Sequence, residues 1–158
     1  MKRFPLEPLR RVRDLRLDAA RRTLTQCRID MENALRRRDI AKLAWSGAVD
    51  RRARHQRECA LAASNIDATV VWLGRADRHR LLIDAEIARC EIQLRGMDEE
   101  LERARQAFAD AFAAYRRAQS KVDALDNFRG EWARKQQREL ERREEQAGEE
   151  LYLAVGRR

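Results

Sequence analysis

The chain has 158 residues, 39% charged and 44% hydrophobic, with 35 Lys and Arg against 27 Asp and Glu for a formal charge of +8. Ala, Glu, Leu and Arg dominate and aromatics make up only 6%, the composition of long helices or coiled coil; plentiful, regularly spaced apolar residues argue against disorder. No apolar run approaches the ~18 residues of a membrane span, and MKRFPLEPLRR has no apolar segment after its charges, which argues against a secretory signal.

Pro5 and Pro8 are the only prolines. Proline is tolerated in the first turn of a helix and hostile inside it, so a helix beginning near Pro8 meets no proline breaker again. The next stretch, LRRVRDLRLDAARRTL (residues 9–24), threads six arginines and two aspartates through leucines, a valine and alanines. From Leu17, steps of three and four give Ala20, Leu24, Cys27, Met31, Ala34, Arg38, Ala41, Trp45, Ala48, Arg52, His55, Cys59, Ala62, Ile66, Thr69 and Leu73. Thirteen of these seventeen positions are apolar, the exceptions being Arg38, Arg52, His55 and Thr69. Gly47 and the polar exceptions around it make a bend in the middle of this helix conceivable, because glycine inside a helix costs about 1 kcal/mol against alanine.

SNIDATVVWLGRADRHRLLID separates the first stripe from a second. Gly74 follows the last position of the first stripe, where a left-handed residue would close a helix, and Asp77 or Asp84 could cap the next. Ser64-Asn65, with Asn65 and Asp67 as caps, is the competing turn. A second 3.5-residue stripe runs through Ile87, Cys90, Leu94, Met97, Leu101, Ala104, Phe108, Ala111, Tyr115, Ala118, Val122 and Leu125, apolar at all twelve positions. Then the register slips through Phe128 and Trp132, and residues 134–150 are charged almost all round, with only Leu140 and Ala147 apolar. Two long 3.5-period stripes predict an all-α fold: two long helices forming an antiparallel coiled-coil hairpin, each about 100 Å long. The preferred boundaries are helix 1 over about residues 8–73, a turn at about 74–78 and helix 2 over about 79–153, in a single domain, 1–158. Pairing about Gly74 would set Cys59 opposite Cys90 and Trp45 opposite Phe108.

The basic balance permits nucleic acid, an anionic surface or an acidic protein partner. Only Lys2, Lys42, Lys121 and Lys135 are lysines; arginine excess beside abundant alanine is also what codon bias in a GC-rich genome produces. Basic clusters at residues 36–38, 51–57 and 75–80 keep a nucleic-acid-binding coiled coil as an alternative, as is a generic coiled-coil scaffold. Against nucleic acid, no aromatic is interleaved for base stacking, and Asp39, Asp50, Glu58 and Asp77 interrupt the clusters. Catalysis is not expected: the sequence holds no phosphate loop, GxSxG or HExxH. Cys27, Cys59 and Cys90 are widely spaced and His55 and His79 are the only histidines, so no zinc ligand set is evident and no cofactor is expected. Residues 1–22 carry +5 and residues 131–150 carry −2, an attraction that antiparallel pairing would exploit. Near the expected turn Leu73 fits the first stripe, whereas Val70, Val71, Trp72, Leu81, Leu82 and Ile83 exceed what a two-helix seam buries, which marks either tip packing or an interaction site.

The pattern Leu9-x-Arg11-Val12-x-x-Leu15-Arg16-Leu17-Asp18-x-Ala20-x-x-x-Leu24 resembles the N-terminus of the YscO/SctO/HrpO stalk proteins of type III secretion systems, relatives of flagellar FliJ. Asn127-Phe128-Arg129 and the charged run from Trp132 to Leu151 resemble that family's late segment, and length, basic charge and two-helix periodicity fit over the whole chain. The resemblance implies a non-enzymatic central stalk. It would be cytoplasmic and peripheral to the inner-membrane secretion apparatus, linking the secretion ATPase hexamer to the cytosolic ring of the export gate, with secretion chaperones as further partners. By position it implies ATPase contacts at Arg10, Arg13, Arg16, Arg21, Arg22, Phe128 and Trp132, and gate contacts at Val71, Trp72, Arg75, Arg78 and His79.

Overall fold

The computed structural model describes residues 4–64 and 70–155, and side chains as far as residue 150. Two helices account for almost all of them: α1, Glu7–Ala63, and α2, Val70–Val155. Among the described residues there is no strand. The start of α1 follows from its chemistry. Pro5 and Pro8 sit where a helix lacks internal N–H partners, Glu7 places a carboxylate in the first turn, and the Glu7 and Arg10 amides donate to the Phe4 and Leu6 carbonyls. α1 then runs unbroken through Gly47 for 57 residues, so the helix does not break there.

The expected turn at Gly74–Arg78 is corrected: these residues lie inside α2. α1 ends at Ala63, and Ser64, a turn residue, donates its hydroxyl to the Leu61 carbonyl at 2.6 Å, satisfying one of the acceptors a helix end leaves unpaired. Asn65, Ile66, Asp67 and Thr69 lie outside the described residues. No described glycine has positive φ, so Gly74 does not act as the left-handed stop assigned to it.

Packing divides the chain into two compact units, Met1–Leu24 with Ala111–Arg158, and Thr25–Asp110. In each, α1 runs antiparallel to α2. In the first, Phe4, Leu17, Ala111, Val122 and Leu125 are buried, and Arg10 meets Asp126. In the second, Ala34, Ala41, Ala48, Ile83 and Leu101 are buried, and Arg38 meets Asp98 while Arg52 meets Asp84. Every position of the 3.5-residue stripes from Leu17 to Ala62 and from Ile87 to Leu125 is buried or half-buried, the seam that a heptad repeat demands. Leu73 is not part of it: it lies in α2, 50% exposed. Ile83 is the opposite case, expected as surplus at a tip and found in the core.

The seam's three polar exceptions explain the register. Arg38 Nε donates to Asp98 Oδ1 at 2.9 Å, Arg52 Nε to Asp84 Oδ1 at 2.5 Å, and the His55 ring contacts the Ala76 carbonyl at 2.9 Å. Arg38 to Arg52 is two heptads forward along α1; Asp98 to Asp84 is two heptads back along α2. This register also overturns the cysteine and aromatic pairings built on a turn at Gly74. His55, one turn from Cys59, meets His79 edge-on, so Cys90 lies about three turns further along α2. Trp45 falls between the levels of the Arg38–Asp98 and Arg51–Glu86 pairs, well short of Phe108.

Candidate interaction surfaces

The first unit carries all the residues assigned to an ATPase contact, and it treats them differently. Arg10 turns inward. Its Nε donates to Asp126 Oδ1 at 2.6 Å, and this hydrogen bond, followed by the aspartate's charge, raises the guanidinium further above its usual value. Asp126 is held below the ordinary carboxylate value of 3.8, first by the hydrogen bond from Arg10 and then, after an opposing burial effect, by its charge. Arg13 is half-buried and donates to the Lys121 carbonyl at 2.9 Å. Arg16 is exposed. Arg21 pairs with Asp18 at 3.5 Å, and Arg22 Nε donates to the Asp18 carbonyl.

Leu9, Val12 and Leu15 are 40%, 44% and 67% exposed, whereas Leu17 is 5% exposed. The apolar residues at the start of the opening stretch are therefore left outside the seam. At the same end Phe4 is buried between two aromatic rings of α2, tilted against Phe128 at 6.0 Å and edge-on to Trp132 at 5.7 Å. Beside them opens a cleft of about 1040 Å³ whose lining includes Pro5, Pro8, Trp132, Gln136 and Leu140.

Glu7 reaches Arg129 at 4.0 Å. Residues 137–150 of α2 are exposed throughout, and Gln136 and Gln137 bond instead to Glu139 and Glu141 of their own helix. The cross-helix pairs Arg10–Asp126 and Glu7–Arg129 stop short of residues 131–150, and the second has the opposite polarity to the expected attraction between a basic N-terminal segment and an acidic run.

The residues assigned to a gate contact all lie in the second unit, in the first turns of α2. Val71 is 64% exposed, Trp72 is half-buried and Arg75 exposed. Arg78 Nε donates to the Gly74 carbonyl at 3.3 Å. His79 lies edge-on to His55 with ring centroids 4.9 Å apart, and Cys59 Sγ is 3.6 Å from His55 Nε2. No group of three or more His, Cys, Asp or Glu side chains suited to a metal ion occurs among the described residues. Nearby, Leu61, Val70, Leu73, Leu81 and Leu82 are all at least half exposed. The same unit also exposes Ile40 and Leu43, 67% and 71%, which stand off the period of the seam.

Comparison with family models, with curated proteins and with solved structures finds no match for the chain. No described helix is long and apolar enough to cross a membrane.

Proposed function

We propose that the chain is a non-enzymatic central stalk of a type III secretion apparatus. It couples the hexameric secretion ATPase, through its terminal segments, to the export gate, with secretion chaperones as additional partners. It works in the cytoplasm at the inner-membrane apparatus. The observation that carries this reading is the fate of the Leu9–Leu24 stretch. Leu17 enters the seam while Leu9, Val12 and Leu15 face outward, as apolar residues do when they await another protein. Long unbroken helices suit transmission of position between two partners.

The test is co-purification of the full chain with the cognate ATPase hexamer at moderate salt, together with the hydrolysis rate of that ATPase. Binding and a changed rate are expected. Replacing Leu9, Val12 and Leu15 together by serine should lower the affinity at least about tenfold, a loss of ~1.4 kcal/mol. Because these side chains are largely outside the seam, the melting temperature should hold. An intact chain that neither binds the hexamer nor alters its turnover would sink the reading.

A further inference from the structure

One face of the first unit is unlike the rest of the seam's flanks. Between α1 and α2 runs a groove of about 170 Å³ lined by Arg13, Arg16, Ala114, Arg117, Ala118 and Lys121. Four of its six lining residues are cationic and none is a carboxylate. At five other places an arginine of α1 at or beside the seam meets a carboxylate of α2: Arg10, Arg37, Arg38, Arg51 and Arg52. Here Arg13 is held by a neutral carbonyl, and no carboxylate among the described residues lies within ion-pair distance of Arg13, Arg16, Arg117 or Lys121. Four like charges along one groove repel each other, a cost that an anionic occupant would relieve.

The spacing narrows the occupant. Arg13 and Arg16 stand one turn apart on α1; Arg117 and Lys121 stand one turn apart on α2. Each wall thus offers two charges separated by ~4.5–6 Å of helix rise. The floor between them is Ala114 and Ala118, also one turn apart, with no long side chain to keep another backbone away. Carboxylates at i and i+3 or i+4 on a third helix repeat at the same interval. No ring lines the groove on which a nucleic-acid base could stack.

We propose that this groove receives an acidic α-helix of a partner protein, laid along α1 and α2 as a third strand with a carboxylate row facing each wall. The proposal rests on the stalk reading only in placing that partner at the terminal segments.

The test uses the full chain and a fluorescent, alanine-based helical peptide of about 20 residues with glutamates at i, i+3, i+4 and i+7. A glutamine version and a single-stranded oligonucleotide serve as comparisons. The glutamate peptide should bind with an affinity that falls as salt rises, and the glutamine peptide at least about tenfold more weakly. Arg16→Glu with Arg117→Glu should abolish that preference without changing helicity or melting. Arg103→Glu, a control outside the groove, should leave it intact. Equal binding of both peptides, unchanged binding by the double variant, or a preference for the oligonucleotide would overturn the proposal. A chain that binds the peptide but not the ATPase keeps the groove and loses the stalk; the reverse result does the opposite.

Discussion

At the residue scale, the seam's polar positions fix the pairing more firmly than its alanines do. Arg52 is 22% exposed at its side chain and bonded to Asp84, yet a partly exposed ion pair contributes little net stability. Its use is specificity: a charged seam residue is satisfied in one register and stranded in others. Arg52→Leu should therefore raise the melting temperature by about 2–4 °C while broadening the distribution of oligomers, read by calorimetry and light scattering. A lower melting temperature with no change in association would refute this. Asp126 carries a pH dependence of definite sign. Its depressed carboxyl contributes stability that is fully present above its ordinary value of 3.8 and is lost as pH falls through the lower folded value. Asp126→Asn should lower the melting temperature slightly at neutral pH and flatten the acid limb below about pH 4, so that variant and parent converge as the carboxylate of the parent is protonated.

At the scale of the elements, the decisive position is Gly74. A side chain built there meets nothing within 4 Å, and its backbone is helical without positive φ. Gly74→Ala should therefore stabilise the chain by roughly 0.5–1 kcal/mol, measured by chemical denaturation. Had the turn lain there in a left-handed conformation, the same change would destabilise. The tightest place on α1 behaves in the opposite way. Ala48 is fully buried and Ala41 nearly so, and lengthening either side chain must push the helices apart. Ala48→Leu should cost about 1–3 kcal/mol. The stripe's period was legible from Leu17 to Ala62 because burial and heptad spacing coincide. The boundary was not, because Leu73 fits the arithmetic of the first stripe while standing exposed in the second helix.

At the scale of the whole molecule, α2 is 86 residues long against 57 for α1. Phe4, just ahead of α1, packs on Phe128 and Trp132 of α2. The exposed run after Gln136 adds helix without adding core. Deleting residues 141–158 should reduce the helical circular-dichroism signal in proportion to length and shift the melting temperature by no more than about 2 °C. A larger drop would show that the run supports the seam. Cross-linking checks the register itself: cysteines placed at Arg52 and Asp84 should join under mild oxidation, while Cys59 and Cys90, half-buried and free, should not.

By itself the sequence determined the all-α class, the two seams and nearly every residue in them, because a 3.5-residue apolar repeat has one stable solution: helices that wrap their stripes together. It also singled out the opening stretch, residues 9–24, and began the first stripe within it at Leu17. Only the tertiary structure decided where the chain turns and which arginines are spoken for. Both depend on contacts between residues far apart in sequence: Arg52 with Asp84, Arg38 with Asp98, Arg10 with Asp126. Periodicity along one helix is blind to its partner's phase, and the resemblance that implied contacts at Arg10, Arg13 and Arg16 did not separate the three. Pairing turns Arg10 inward onto an aspartate and leaves Arg13, Arg16, Arg117 and Lys121 around one groove with no carboxylate to answer them.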